Sequence, residues 1–386
     1  MGAELLEFDA PFADKVVVLT NFLPPYRIAM FEHLQAKVAD LQILLSVPME
    51  SNRHWKPEWG ILHVTVQKNI QYTSRTVHPN GFREESAVHI PYDTLPRLLA
   101  YRPRAIIAAE FGARTLQAAI YRLFFRRCRL LVWATISEET ERGRGRLRVW
   151  LRKLILKIAD GVLVNGSSGV RYIHGLGYPR HKIHTVPQAT EQAPFRAPAT
   201  RSSADTTRLL YVGQLIERKG LQQFHEHLVR WCETHTHRKV RWTIIGSGPL
   251  SEAIQAWERP ANYDLQLLHE VPYAEIPGHY HAADLFAFPT FADEWGLVVN
   301  EALIAGLPVL GSVFSQAVED LVKDGVNGWT FRPDHADELA RALDRALEST
   351  PEQLDMLRTN AVESIAFLDH EYMSSRILHA LNAVNS

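Results

Sequence analysis

Residues 284–312 are DLFAFPTFADEWGLVVNEALIAGLPVLGS. A short apolar run ends at a proline, an acidic loop follows, and an apolar helix pattern then leads through Gly306 into a second apolar run. Strand, loop, helix and strand in this order form the repeating unit of a parallel sheet. Because these strands are apolar at nearly every position, we expect helices to cover both faces of the sheet.

The same alternation continues along the rest of the chain, on both sides of a segment rich in Pro, Ala, Ser and Thr. We interpret this segment, residues 193–207, as a linker. The pattern predicts two doubly wound α/β domains facing a cleft, residues 1–192 and 208–365. A C-terminal helix at 366–386 is expected to pack back on the first domain. The predicted strands are 15–20, 41–46, 105–109, 130–135, 161–166, 208–213, 242–248, 265–268, 284–290 and 307–312.

The composition is that of a globular protein, with 46% hydrophobic and 22% charged residues in a chain of 386. The two cysteines, Cys128 and Cys232, are too far apart in sequence for a disulfide framework or a thiolate zinc site, and they favour a reducing compartment. The first residues are acidic and lack the basic start of a secretory signal. We therefore expect a cytoplasmic protein, either free or peripheral on the inner face of a membrane.

The charge is distributed unevenly, since residues 1–190 hold 26 Lys and Arg against 16 Asp and Glu in a chain of net charge −1. Within this half, residues 142–158 mix cations with Leu and Trp150. Two interpretations stay open: a helix lying on an anionic membrane surface, or a helix with an apolar core-facing side and a solvated basic side. Nucleic acid is not expected as a partner, because aromatic residues do not alternate with the cations.

Candidate binding residues follow the strands of the second domain, where loops reach the ligand-binding edge of a parallel sheet. The loop 213–220 contains two cations, Arg218 and Lys219, which either meet a diphosphate or belong to a solvated turn. Gly246 and Gly248 follow the next strand, where they permit close approach of a ligand or simply form a tight turn. The loop 213–220 also adds Gly213 and Gln214 to the candidate set.

A helix predicted to begin at Gly296 places the free N–H groups of its first turn at the same edge, which suits a phosphate. Asp293 precedes this helix and Glu301 lies more than one turn inside it, so both carboxylates could accept hydrogen bonds from sugar hydroxyls. The alternative is an Asp293 that caps the helix and a Glu301 on the surface. The residues that complete this predicted site are Glu294, Trp295, Leu297 and Val298.

These motifs resemble the retaining glycosyltransferases of family 4, which have the GT-B fold. The signature EAxAxGxPV of that family matches residues 301–309, and its E-x7-E motif matches Asp293 through Glu301, with Asp in the first place. Its G-R-L-x-x-x-K-G loop matches residues 213–220, with Gln214 in place of Arg. The resemblance implies that Asp293 binds the donor sugar, Glu301 the ribose and Lys219 the diphosphate.

In the first domain, residues 21–27 resemble a subgroup with a PPYR loop. This implies that Tyr26 and Arg27 lie near the donor phosphates and the acceptor, although they could equally well only begin a helix. Glu110 follows a strand and should lie at the same crevice. Glu138 occupies the approximate position of a histidine in many relatives, and a turn or cap role is the alternative.

The resemblance implies a hexosyltransferase of class EC 2.4 that moves a sugar from UDP- or GDP-sugar to a glycan or lipid-linked acceptor, with retention, in surface polysaccharide or lipid-linked glycan assembly. It implies no cofactor and no required metal. Two alternatives stay open. One is an epimerase or phosphorylase on the same fold. The other is an inactive relative that only binds a nucleotide sugar, to which the departures at Asp293 and Gln214 point.

Overall fold

The computed structural model describes residues 10–49, 58–79, 81, 83–196 and 206–384. The chain forms two compact units, Met1–Ala189 with Leu368–Ser386, and Thr190–Phe367. Most of the predicted linker, residues 197–205, lies outside the described residues. Its described part contains a short 3-10 turn at Ala193–Phe195, and the first strand of the second unit already begins at Thr206.

The first unit contains a seven-stranded parallel sheet in the order β3-β2-β1-β6-β7-β8-β9, and a separate antiparallel pair, β4 and β5. Its strands are β1 Phe12–Thr20, β2 Val38–Leu45, β3 Val64–Val66, β4 Asn69–Val77, β5 Arg83–Pro91, β6 Ala105–Ala109, β7 Arg129–Ala134, β8 Gly161–Val164 and β9 Ile183–Thr185. Its helices are α1 Ile28–Gln35, α2 Thr94–Tyr101, α3 Ala113–Phe124, α4 Glu138–Glu141, α5 Arg146–Leu156 and α6 Ser167–Gly175.

The second unit contains a six-stranded parallel sheet in the order β12-β11-β10-β13-β14-β15. Its strands are β10 Thr206–Val212, β11 Lys239–Ile245, β12 Tyr263–Leu268, β13 Leu285–Phe288, β14 Val309–Ser312 and β15 Gly328–Phe331. Its helices are α7 Leu221–Thr234, α8 Ser251–Gln255, α9 Ile276–Ala282, α10 Leu297–Ile304, α11 Gln316–Leu321, α12 Ala336–Leu347 and α13 Pro351–Ile365.

Each sheet has one point at which the strand order reverses. In the second unit, successive strands run outward from β10 on one side and from β13 on the other. The chain therefore leaves these two strands in opposite directions along the sheet, and the crevice at the carboxyl ends of two such strands is the usual ligand position. The corresponding pair in the first unit is β1 and β6.

The C-terminal helix, α14 at His370–Ala383, belongs to the first unit. It buries Ile377, Leu378 and Leu381. The Arg376 side chain donates to the Thr185 carbonyl at 3.1 Å, at the end of β9. The chain thus crosses back after completing the second unit, so the first unit is built from both ends of the sequence.

All ten predicted strands correspond to observed strands, with shifts at their ends, whereas β3, β4, β5, β9 and β15 were not predicted. The helix predicted from Tyr26 begins at Ile28, after a 3-10 turn at Pro25–Arg27. Among the described residues, no helix combines the length and the apolar character needed to cross a bilayer.

Candidate functional site

Two loops meet at the reversal point of the second sheet. The loop after β10 ends in a 3-10 turn at Glu217–Lys219, and the loop after β13 runs from Pro289 to Gly296. The Arg218 carbonyl accepts the Phe291 N–H at 2.8 Å, and the Arg218 guanidinium donates to the Ala292 carbonyl at 3.0 Å. A rigid pair of loops thus lines the crevice that the topology creates.

Gly220 shows why these loops can lie so close. Its φ is 68°, and a Cβ atom at this position would stand 2.2 Å from the Pro289 carbonyl oxygen. Only glycine accepts both the left-handed backbone and the contact without strain. The turn that carries Arg218 and Lys219 is therefore pressed against the loop that carries Asp293.

Lys219 and Asp293 form a buried ion pair in which the Nζ ammonium donates to Oδ2 of the carboxylate. The Asp293 carboxylate also accepts the Trp295 N–H at 3.3 Å. Although burial by itself raises the pKa of Asp293, the charges of Lys219 and Arg218 hold that pKa below its usual value. The aspartate therefore stays ionised and fixes the ammonium group at the crevice, with Nζ 5.3 Å from the centre of the Phe288 ring.

Helix α10 begins directly after this pair. Gly296 is its N-cap, with φ 103°, and no side chain caps the helix. A Cβ atom on Gly296 would stand 2.9 Å from Phe288 and from the Ser315 hydroxyl. The Ser315 hydroxyl donates to the Trp295 carbonyl at 2.5 Å and holds the approach to the helix in place. The Val299 N–H donates to the Gly296 carbonyl at 2.9 Å. Because no side chain caps α10, the N–H groups of Leu297 and Val298 are the first-turn donors directed at the edge of the sheet.

Glu301 lies in the second turn of α10 and is buried, so the predicted surface alternative is wrong. Its Oε2 accepts a hydrogen bond from the Tyr280 hydroxyl at 2.8 Å. Burial raises the pKa of Glu301 to about 7, against a small opposing effect of the Tyr280 hydroxyl. A buried carboxyl group with a pKa raised in this way, in a helix whose start carries no side-chain cap, is a candidate for a functional site.

The glycines after β10 and β11 have a structural explanation. Gly213 and Gly246 lie one step beyond the last paired residues of these strands. Gly246 has a φ of 148°, and a Cβ atom on it would stand 1.9 Å from the Gly213 carbonyl oxygen. Gly248 makes a similar approach to Leu215. These glycines allow the backbones of two loops to lie in contact. The sequence suggested either close approach of a ligand or a tight turn, and neither hypothesis included this contact between loops.

Replacing Gly246 by Ala is expected to lower the free energy of unfolding by about 2 kcal/mol or more, because the new methyl overlaps a backbone oxygen and the φ is unfavourable. Chemical denaturation measures the loss. Gly278→Ala is the matched control, since a Cβ atom there meets nothing within 4 Å. In that helical position the change is expected to be neutral or slightly stabilising. Equal effects of the two substitutions would contradict the packing described.

The remaining predicted residues of the second unit lie around this arrangement. Gln214 is exposed, and its carbonyl accepts the buried Tyr211 hydroxyl at 2.9 Å. Glu294 is half-buried at 3.5 Å from the Arg218 guanidinium. Leu297 and Val298, in the first turn of α10, are half-buried. The structure thus brings the Arg218–Lys219 turn, Asp293 and the start of α10 together, and the predicted ligand contact of the Gln214 side chain stays a prediction.

Four predicted residues belong to the first unit, Tyr26, Arg27, Glu110 and Glu138. The Tyr26 carbonyl lies 3.0 Å from Nε2 of His370, and the Arg27 guanidinium lies 4.9 Å from the centre of the Trp133 ring. Glu138 accepts a hydrogen bond from the Arg171 side chain at 2.8 Å. Their proposed functional roles stay predictions.

Glu110 lies at the end of β6, beside the reversal point of the first sheet. It has a φ of 62°, a left-handed conformation that is uncommon outside glycine. Its carboxylate accepts hydrogen bonds from the Thr135 N–H, at 3.1 Å, and from the Thr135 hydroxyl. Burial raises the pKa of Glu110, against the hydrogen bonds from Thr135. The predicted position of Glu110 after a strand is confirmed.

Two residues of the site were not predicted from the sequence. Tyr280 holds the Glu301 carboxylate, and Ser315 holds the Trp295 carbonyl just before α10. Neither residue lies in a motif, and both reach the site from other elements through tertiary packing. Among the described residues, no three His, Cys, Asp or Glu side chains are placed so that they could hold a metal ion.

Comparison with known proteins finds similarity in both sequence and fold. Residues 195–364, less than half of the chain, match the family described as "Glycosyl transferases group 1". The uncharacterized glycosyltransferase MJ1607 of Methanocaldococcus jannaschii is 28% identical over 149 residues, which are 37% of this chain and 36% of that protein. The chain spans about half or less of the curated relatives it matches first.

Solved structures share the fold over almost the full chain. The apo form of the lipopolysaccharide outer core galactosyltransferase WaaB has a TM-score of 0.71 at 14% identity, and covers 96% of this chain and 99% of its own. Anabaena HepE in complex with UDP-glucose has a TM-score of 0.65 at 16% identity, with 96% and 100% covered. The predicted GT-B fold is thus confirmed, and the second unit carries the sequence features of group 1 glycosyl transferases.

Proposed function

We propose that this protein is a glycosyltransferase that takes a sugar from a nucleotide diphosphate sugar and transfers it to a hydroxyl acceptor with retention of configuration. The observation that carries the proposal is the buried Lys219–Asp293 pair next to the uncapped start of α10, at the reversal point of the second sheet. A fixed ammonium group and a helix N-terminus together suit a diphosphate.

Each group has a defined part in this proposal. Lys219 and the first-turn N–H groups of α10 neutralise the charge that develops on the departing diphosphate. Asp293 holds Lys219 and offers its remaining lone pairs to sugar hydroxyls. Glu301 accepts the ribose hydroxyls on the other side of the helix start. Arg218, bound to the Ala292 carbonyl, keeps the two loops together.

The reaction needs no covalent intermediate with the protein. The bond between the anomeric carbon and the leaving phosphate oxygen breaks, and a bond to the acceptor oxygen forms on the same face. The acceptor proton passes to the leaving phosphate oxygen. We propose that neither a cofactor nor a metal is required, because protein cations and helix amides already stabilise the diphosphate.

The acceptor is proposed to be a glycan or a lipid-linked glycan, with Tyr26, Arg27 and Glu138 as candidate contacts. Surface polysaccharide or lipid-linked glycan assembly is the corresponding role. The sequence resemblance supports both this acceptor and this role.

A thermal-shift series with UDP-, GDP- and ADP-sugars tests donor binding, because a ligand that binds the folded state raises its melting temperature. UDP-glucose is the first choice, since HepE of similar fold was solved with it. One nucleotide class is expected to raise the melting temperature, whereas the free nucleoside, which has no diphosphate, is not. No shift with any diphosphate would contradict the proposal.

Turnover assays then separate the rival activities. Release of nucleotide diphosphate that depends on an added acceptor supports sugar transfer. Conversion of one nucleotide sugar to another without acceptor would show an epimerase instead. Binding without turnover across a broad acceptor panel would indicate an inactive relative.

A further inference from the structure

An extended apolar surface lies on the first unit. Helix α5 lies in the basic segment and exposes four apolar side chains at positions i, i+3, i+4 and i+7, so they share one side of the helix. They are Leu147, Trp150, Leu151 and Leu154, with 70%, 59%, 38% and 39% of their surface exposed. The hypothesis of a helix with an apolar core-facing side accounts for Ile155 and Leu156, which are buried, but not for these four exposed side chains.

Helix α3 presents a second such side, which the sequence did not reveal. Its exposed residues follow the spacing i, i+4, i+7 and i+8, and they are Leu116, Ile120, Leu123 and Phe124. Phe124 is 80% exposed, an unusual state for a side chain of this size. We call these eight residues of α3 and α5 the α3–α5 surface.

The two helices form one continuous layer. They contact each other, and each packs against strand β7. Leu130 of β7 lies in the apolar core beneath α3, whereas Val132, two residues further along that strand, packs against Ile155 of α5. Since residues two apart on a strand share a face, the outward sides of α3 and α5 turn away from the sheet in the same direction.

Cations surround this layer. Arg126 and Arg127 follow α3 directly, and Arg146, Lys153 and Lys157 lie on or next to α5, all exposed. None of these five is in an ion pair with a described carboxylate within 4.0 Å. By contrast, Arg152 points inward, where it pairs with the buried Glu141 and donates to the Tyr172 hydroxyl at 2.5 Å.

The segment 113–157 contains only three acidic residues, Glu138, Glu139 and Glu141, and each is paired with an arginine. The layer is thus apolar at its centre and positive around it. This combination favours an anionic lipid bilayer, in which Leu, Phe and Trp enter the headgroup boundary while Arg and Lys meet the lipid phosphates. A protein partner would need acidic groups around a complementary apolar patch.

We propose that the α3–α5 surface docks the protein on an anionic membrane. Docking of this kind is independent of sugar transfer, and it would bring the first unit to lipid-linked molecules. It concerns a surface contact only, and α3 and α5 lie along the bilayer rather than across it.

Vesicle flotation tests this proposal with the full chain. Vesicles of phosphatidylcholine alone are compared with vesicles of an equal mixture of phosphatidylcholine and phosphatidylglycerol. The protein is expected to float with the mixed vesicles and to remain behind with phosphatidylcholine, and added salt should weaken the binding. Equal binding to both, or to neither, would overturn the proposal.

The double variant Phe124→Ser/Trp150→Ser is expected to reduce the partition coefficient on mixed vesicles by about tenfold or more, because two large apolar side chains no longer enter the bilayer. Ile61→Ser/Met356→Ser is the matched control, since those side chains are 69% and 56% exposed outside the α3–α5 surface. The control should bind like the original protein.

Two further measurements distinguish a loss of membrane binding from a loss of donor binding and from self-association. The melting-temperature increase with nucleotide sugar should be the same in the double variant and the original protein, so a failure of donor binding would be seen separately. Sedimentation without lipid reports self-association. A dimer that the Phe124→Ser/Trp150→Ser change disrupts, together with unchanged vesicle binding, would assign the surface to a second copy and overturn the membrane proposal.

Discussion

Replacing Lys219 by Met is expected to lower the free energy of unfolding by about 3–5 kcal/mol and to abolish sugar transfer. The stability is lost because the Asp293 carboxylate stays buried without its main counter-charge. The activity is lost because the ammonium group no longer meets the diphosphate. Urea denaturation measures the first effect and release of nucleotide diphosphate the second. Lys323→Met removes an exposed lysine of the same unit and should change neither.

A second substitution separates the two effects. In the double variant Lys219→Met/Asp293→Asn the uncompensated charge is gone, and most of the lost stability is expected to return, since removing both partners of a buried pair is often close to neutral. Activity should stay absent. A double variant that regains transfer would show that Lys219 is only structural.

Replacing Glu301 by Gln is expected to stabilise the protein while weakening donor binding. The raised pKa of Glu301, about 7 against the usual 4.5, means that the folded state binds the proton more tightly than the unfolded state. The stabilising effect of the protonated group is complete below pH 4.5 and is lost as the pH rises to about 7. A glutamine is never ionised, so at pH 8 the variant should be more stable by up to about 3 kcal/mol.

Donor affinity should change in the opposite direction. If Glu301 binds the ribose as proposed, its ionised form accepts the hydroxyls through charge-assisted hydrogen bonds, so we expect the original protein to bind its donor more tightly as the pH rises through 7. The Gln variant should bind about tenfold to a hundredfold more weakly at pH 8, with a flatter pH dependence. Calorimetry measures the affinity, and Glu363→Gln, an exposed site on α13, is the control. A variant that is less stable and binds normally would contradict these assignments.

Local sequence pattern predicted the parallel architecture because β6, β8 and β13 are buried at every position and therefore apolar throughout. Strand β7 is buried and apolar after its first residue, Arg129. The hairpin β4–β5 was missed because its sequences, NIQYTSRTV and REESAVHIP, contain few consecutive apolar residues. The two strands pair with each other at nine positions. Because strand formation of this kind depends on the partner strand, the local sequence predicts it only weakly.

The candidate site also contains some residues that the sequence predicted and others that it did not. Glu301, Asp293 and the start of α10 could be predicted, since they lie within one stretch of strand, loop and helix. The Tyr280 hydroxyl on Glu301 and the Ser315 hydroxyl on the Trp295 carbonyl could not, because they come from elements far apart in sequence. The exposed apolar side of α3 was missed for a related reason: an apolar helix side is normally assigned to a core.

The central claim is that Lys219, the start of α10 and Glu301 bind one nucleotide diphosphate. A crystal structure of the protein with UDP tests it most directly. We predict phosphate oxygens within hydrogen-bond distance of Lys219 Nζ and of the first-turn N–H groups of α10, with a ribose hydroxyl on Glu301. A well-ordered UDP bound elsewhere, with these three groups untouched, would contradict the claim.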